Sequence, residues 1–88
     1  MVITRDIVAE QLISYLQGHR TLVEVVSWAH EAFNEGEFDE ADIEVIRDVI
    51  ARLGLADVAA FGLTWEDAVQ MLARLGYRAN VHVQPAKA

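Results

Sequence analysis

The chain has 88 residues, 53% of them apolar and 24% charged, which supplies one packed core and excludes intrinsic disorder. It has no cysteine and only three scattered histidines, so disulfides are ruled out and neither a structural metal nor a cofactor is expected. A net charge of −7 repels phosphate backbones and anionic bilayers, so nucleic acid and membrane surfaces are not expected partners.

The opening residues, Met1 to Asp6, lack the basic run and apolar core of a secretory leader, and no apolar stretch approaches the roughly 20 residues that span a bilayer. A cytoplasmic location is expected. Four segments then open on a capping residue and close on glycine. Thr4 opens the first, which stops at Gly18 and carries an apolar stripe of Val8, Leu12, Tyr15 and Leu16. Thr21 opens the second with a capping box to Glu24, its stripe is Leu22, Val25, Val26, Ala29, Ala32 and Phe33, and Gly36 closes it. Asp39 opens the third, with Glu40 and Asp42 in its first turn, Ile43, Ile46, Val49, Ile50 and Leu53 on one face, and Gly54 at the end.

Residues 55–63 are too apolar for an exposed loop and predict a short helical turn that packs Leu55, Val58, Phe61 and Leu63. Thr64 opens the fourth helix, whose stripe is Trp65, Ala68, Val69, Leu72 and Leu75 and whose end is Gly76. The matching Ala-Arg-Leu-Gly endings at 51–54 and 73–76 predict Schellman closures that fold Leu55 onto Ile50 and Tyr77 onto Leu72. In the tail, Tyr77, Ala79, Val81 and Val83 alternate with Arg78, Asn80, His82 and Gln84, the period of a half-buried strand. Such a strand needs an edge to pair with: Val2–Ile3, its own copy in a homodimer, or a partner. The expected fold is all-α: a compact four-helix domain over residues 1–84, with a short helical turn between the third and fourth helices and a short C-terminal β-like extended segment. Residues 85–88 are expected to be a flexible tail.

The chain holds no nucleophile elbow, Gly-rich phosphate loop, HExxH or Cys–His pairing, so no catalytic residue is assigned and an enzyme is not expected. His30 flanks the apolar stripe of the second helix and reads as a boundary residue packing on apolar neighbours. The sharpest local feature is acidic. Residues 1–44 hold two bases against ten acids, a net of −8, whereas residues 45–88 hold five bases against four acids, a net of +1. Seven of those acids fall between Glu31 and Glu44, with no base among them. Asp39, Glu40 and Asp42 suit the start of a helix, where the macrodipole favours negative charge. Glu31 and Glu35 do not: they stand i,i+4 to each other at a helix end that is already negative, and Glu37 adds a third charge. Asp39-Glu40-Ala41-Asp42 lacks the alternating ligands and central glycine of a calcium loop, so no metal is assigned.

Two readings follow for this face: a solvating surface, relieved by an arginine such as Arg20, or a patch that meets a basic protein. Trp28 borders the patch, and with Ile7 and Val45, which also point off their stripes, it marks either a contact surface or a second packing layer. The expected function is a non-catalytic protein–protein interaction module, in the manner of a small acidic inhibitor or immunity protein. Its partner-binding residues would be Glu31, Glu35, Glu37, Asp39, Glu40 and Trp28. The alternative is a homo-oligomeric structural protein assembled through Tyr77, Ala79, Val81 and Val83.

Overall fold

A computed structural model of the chain describes residues 2–58, 62–81, 83 and 85–86. Its elements run β1 (Val2–Ile3), α1 (Arg5–Leu16), α2 (Leu22–Glu35), β2 (Glu37–Phe38), a single 3-10 turn (Glu40–Asp42), α3 (Ile43–Leu53) and α4 (Trp65–Arg74). No helix among the described residues is long and apolar enough to cross a membrane.

The helix starts follow from their caps. Ile7 N donates to the Thr4 hydroxyl at 3.2 Å, satisfying one of the free amides of α1. In α2 the capping box is complete: Glu24 N donates to Thr21 Oγ1 at 3.2 Å, and Thr21 N donates to Glu24 Oε1 at 3.0 Å. Thr64 and Asp67 repeat the arrangement at α4 with two bonds of 3.1 Å. Asp39 behaves differently from expectation: it caps the 3-10 turn, accepting from Ala41 N at 3.1 Å, and α3 starts only after that turn.

Two helices end in Schellman closures. Gly18 and Gly76 adopt φ of 78° and 92°, and His19 N and Tyr77 N donate back to Ser14 O and Leu72 O, both at 2.8 Å. The expected closure at Gly54 is not formed. That residue keeps a helical φ of −63°, and Leu55 N and Ala56 N step onward to Arg52 O and Leu53 O at 3.2 and 3.1 Å. The resulting turn buries Ala56 and leaves Leu55 and Val58 half-exposed, while Leu63 packs on the core; Phe61 lies outside the described residues. Arg52 bridges the gap to the last helix, since Nη2 donates to Gly62 O and Asp67 Oδ2, both at 3.2 Å.

The sheet lies where periodicity does not announce it. Val2 pairs with Glu37 and Ile3 with Phe38 in parallel, and Asp39 N donates to Ile3 O at 3.0 Å. The pairing of the C-terminal segment with Val2–Ile3 that the sequence allows is not formed among the described residues. Residues 77–81 form no strand, and among the described residues 78–81 make no backbone–backbone hydrogen bond. Their alternation records a segment lying on the helices, with Tyr77 and Ala79 half-buried against the core and Arg78 and Asn80 exposed. His82, Gln84, Lys87 and Ala88 lie outside the described residues.

Ile3, Leu12, Ile46, Ile50, Leu53 and Leu75 are the largest fully buried side chains. α1 packs against α2, α3 and α4, and α3 packs also on α2. Ile7, Val45 and Trp28 are half-buried on this core, a second layer of packing. Phe33, Ile43 and Trp65, assigned to core stripes by their spacing, are instead exposed. Each sits in a first or last turn, where the neighbouring helix covers a side chain on one side only.

Gly36 is required by close approach, because its backbone is extended (φ −79°, ψ 150°) and not left-handed. A Cβ there would collide with Ile3 Cδ1 and lie 2.6 Å from Ala32 O. Urea denaturation should show Ile3→Ala losing about 2–5 kcal/mol, the range for emptying a buried large aliphatic site. Gly36→Ala should lose about 1–3 kcal/mol by overpacking the same point.

Candidate functional site

The fold gathers the acidic run at one corner. Glu31 and Glu35 occupy the last turns of α2, Glu37 is in β2, Asp39 and Glu40 begin the 3-10 turn, and Glu44 lies in the first turn of α3. Glu31, Glu35, Glu37, Glu40 and Glu44 are exposed, and Asp39 and Asp42 are half-buried. Asp39 is engaged by Ala41 N, but among the described residues the carboxylates of Glu31, Glu35, Glu37 and Glu40 take part in no ion pair or hydrogen bond. The arginines engage other acids: Arg74 meets Asp48 at 3.1 Å, Arg52 meets Asp67 at 3.2 Å, and Arg47 meets Asp48 at 4.0 Å. Arg20 lies near Glu24 in the first turn of α2, and no ion pair joins it to Glu31 or Glu35 among the described residues. With no base in the last turn of α2, the repulsion between those two charges and the helix dipole stands uncompensated.

Beside this corner lies an apolar groove that the sequence does not reveal. Its volume is ≈ 340 Å³, and Ala29, His30, Phe33 and Asn34 of α2 face Ile50, Ala51, Gly54 and Leu55 across it. Phe33 is 50% exposed and meets Phe38 edge-on, with ring centroids 6.4 Å apart and an interplanar angle of 63°. His30 lines the groove beside Gly54. Its Nε2 donates to Gly54 O at 2.8 Å, capping the negative end of α3 from the side of α2. The imidazole lies against the Gly54 backbone, where a Cβ would come within 3.0 Å of His30 Cδ2. Trp28, proposed from sequence as an anchor of the acidic patch, is half-buried on the core.

The tail residues singled out by their alternation are divided. Tyr77 and Ala79 pack inward, whereas Val81 and Val83 are exposed. Tyr77 Oη donates to Asp6 Oδ1 at 2.6 Å, and this bond to a carboxylate is the main cause of a phenol pKa raised above its ordinary value. A second groove of ≈ 330 Å³ runs between this tail and α1 and α4, with the exposed Trp65 on one wall.

Among the described residues no group of three or more His, Asp or Glu side chains is arranged to hold a metal ion. Comparison with protein-family models, curated proteins and solved structures finds no match for this chain.

Two solution tests follow from these contacts. Glu24 and Asp67 have lowered pKa values, first because Thr21 and Thr64 backbone amides donate to them. Their stabilisation is thus full above about 4, the ordinary carboxylate value, and is lost as pH falls through the lower folded value. The raised Tyr77 behaves oppositely: its contribution is full below about 10 and is lost as pH rises through the folded value. Thermal melts followed by circular dichroism should show Glu24→Gln flattening the acid limb and Tyr77→Phe flattening the alkaline limb. Separately, His30→Phe keeps the ring but removes the donor to Gly54 O, and urea denaturation should register a loss of about 0.5–1.5 kcal/mol.

Proposed function

We propose that the chain is a non-catalytic protein–protein interaction module, a small acidic inhibitor of the immunity type, acting in the cytoplasm on a basic protein. Glu31, Glu35, Glu37, Asp39 and Glu40 form its contact face, with Trp28 supporting that face from the core. One observation carries this reading: the exposed carboxylates of Glu31, Glu35, Glu37 and Glu40 have no ion pair or hydrogen bond among the described residues. Two of them repel each other at the negative end of a helix, an arrangement with a stability cost and no internal compensation. A cationic surface offsets that cost only in a complex. The absence of cysteine suits a reducing compartment.

A second reading draws on the tail. Exposed Val81 and Val83, next to backbone groups that pair with nothing among the described residues, support assembly of a homodimer through this segment.

Immobilised wild type and Glu31→Gln/Glu35→Gln/Glu37→Gln, exposed to lysate of the source at low and high salt, separate these readings. Wild type should retain one basic protein at low salt, and the triple variant should lose it while keeping or slightly raising its own melting temperature. Equal retention by both proteins would refute the acidic contact face. Recovery of nothing but further copies of the chain would favour the tail-mediated homodimer, and Val81→Pro should then yield a monomer.

A further inference from the structure

We propose that the groove between α2 and the end of α3 receives an apolar side chain from a basic amphipathic helix of the partner, an inference that rests on the interaction reading above. Apolar surface dominates the groove: Phe33 and Leu55 are 50% and 44% exposed, and Ala29, Ile50 and Ala51 complete its floor and walls. Its polar lining is small, for His30 Nε2 is engaged by Gly54 O at 2.8 Å and Asn34 is the other polar side chain along it. One wall is α2 and the other is the end of α3 with the turn that follows it, and no strand lines the groove. An extended peptide would therefore find no strand edge there, whereas a helix lays side chains between such ridges.

Charge selects the occupant further. Successive residues of α2 turn by about 100°, so the row Glu31–Glu35 lies next outward from the row His30–Asn34 that forms the groove's lip. On the α3 side Asp48 is held by Arg74 at 3.1 Å and stands 4.0 Å from Arg47. The rim is therefore negative along its α2 side, where Glu31 and Glu35 have no ion pair among the described residues. A second copy of this chain, at −7, is repelled from such a rim, and a lysine- or arginine-bearing helix is attracted to it. Removing Phe33 and Leu55 from water drives the contact, and the carboxylate row sets its orientation and salt dependence.

The probe is a synthetic amphipathic helix with leucines on one face and lysines on the other, beside a Glu/Leu peptide and a Lys/Ser peptide of equal length. Binding is measured by fluorescence anisotropy, and its place by amide and methyl chemical shifts. The Lys/Leu peptide should bind at least about tenfold tighter than either control, shifting resonances of Ala29, Phe33, Ala51 and Leu55. Ala51→Trp fills the groove from an exposed wall position and should weaken binding about tenfold or more, with its fold checked by circular dichroism. Leu55→Ser, at a half-exposed turn position, provides a second variant if the first is misfolded. Glu31→Gln/Glu35→Gln should weaken binding less and reduce its salt dependence.

Failure is informative about each layer. If Ala51→Trp and Leu55→Ser leave binding unchanged while the glutamine variant abolishes it, the groove proposal is overturned and the acidic contact face stands. Binding that is lost in the groove variants but insensitive to salt and to the glutamines overturns the basic occupant, and the acidic contact face with it. No preference for the Lys/Leu peptide overturns the docking proposal outright. Sedimentation as a dimer that Ala51→Trp dissociates would overturn it also, by assigning the groove to a second copy.

Discussion

Ile3 is completely enclosed, although it stands at the third position of the chain and belongs to no helix. It is held by two parallel backbone pairings to the segment that joins α2 to α3, and it fits only because Gly36 offers no side chain where Ile3 Cδ1 and Ala32 O converge. The geometry of the acidic corner depends on this point. The chain leaves α2 in an extended conformation at Gly36, runs through β2 beside β1, and re-enters helix through the 3-10 turn. Glu31, Glu35, Glu37, Asp39 and Glu40 are thereby distributed over a helix end, a strand and a turn within one small area.

Charge is partitioned in the same fold. Two arginines of the second half serve internal joints: Arg52 ties α3 to Gly62 and Asp67, and Arg74 ties α4 to Asp48. Each of these contacts lies where two elements must be held together, and each leaves one fewer base for the first half. An exposed pair such as Arg74–Asp48 contributes little to stability singly, so its principal effect is positional. Glu31, Glu35, Glu37 and Glu40 form no ion pair among the described residues, whereas Arg47, Arg52 and Arg74 are engaged with Asp48 and Asp67. A patch of this sort is a field source, and its influence extends about a Debye length, near 8 Å at physiological salt.

Helix starts were readable because a cap is local. Thr4, Thr21 and Thr64 each lie within three residues of the amide they satisfy, and the structure places all three as the sequence suggests. The ends were readable only where no distant residue intervened. The same four residues, Ala-Arg-Leu-Gly, close α4 with a left-handed glycine but at the end of α3 lead into a further turn, where His30, distant in sequence, bonds the Gly54 carbonyl. Ile3 and the β1–β2 pairing gave no local signal, since two residues are too few for a period and their partner is far along the chain. Phe33 shows the reverse failure: its spacing matches the core face, yet its place in the last turn of α2 leaves it open to the groove. The acid run itself was legible as composition, but its adjacency to an apolar groove was not, because that groove exists only between two helices.

The β1–β2 ladder also has a temporal consequence. It closes a loop containing both α1 and α2, and closing such a loop costs chain entropy that two residue pairs alone do not repay. Helical contacts near in sequence form before such long-range pairings. The order of assembly that follows is helices first, then the seating of Ile3, and last the corner where the acids converge. A chain caught before that final step holds Glu31 and Glu35 on α2 but lacks the fixed relation to Glu37, Asp39 and Glu40 that the β1–β2 pairing imposes.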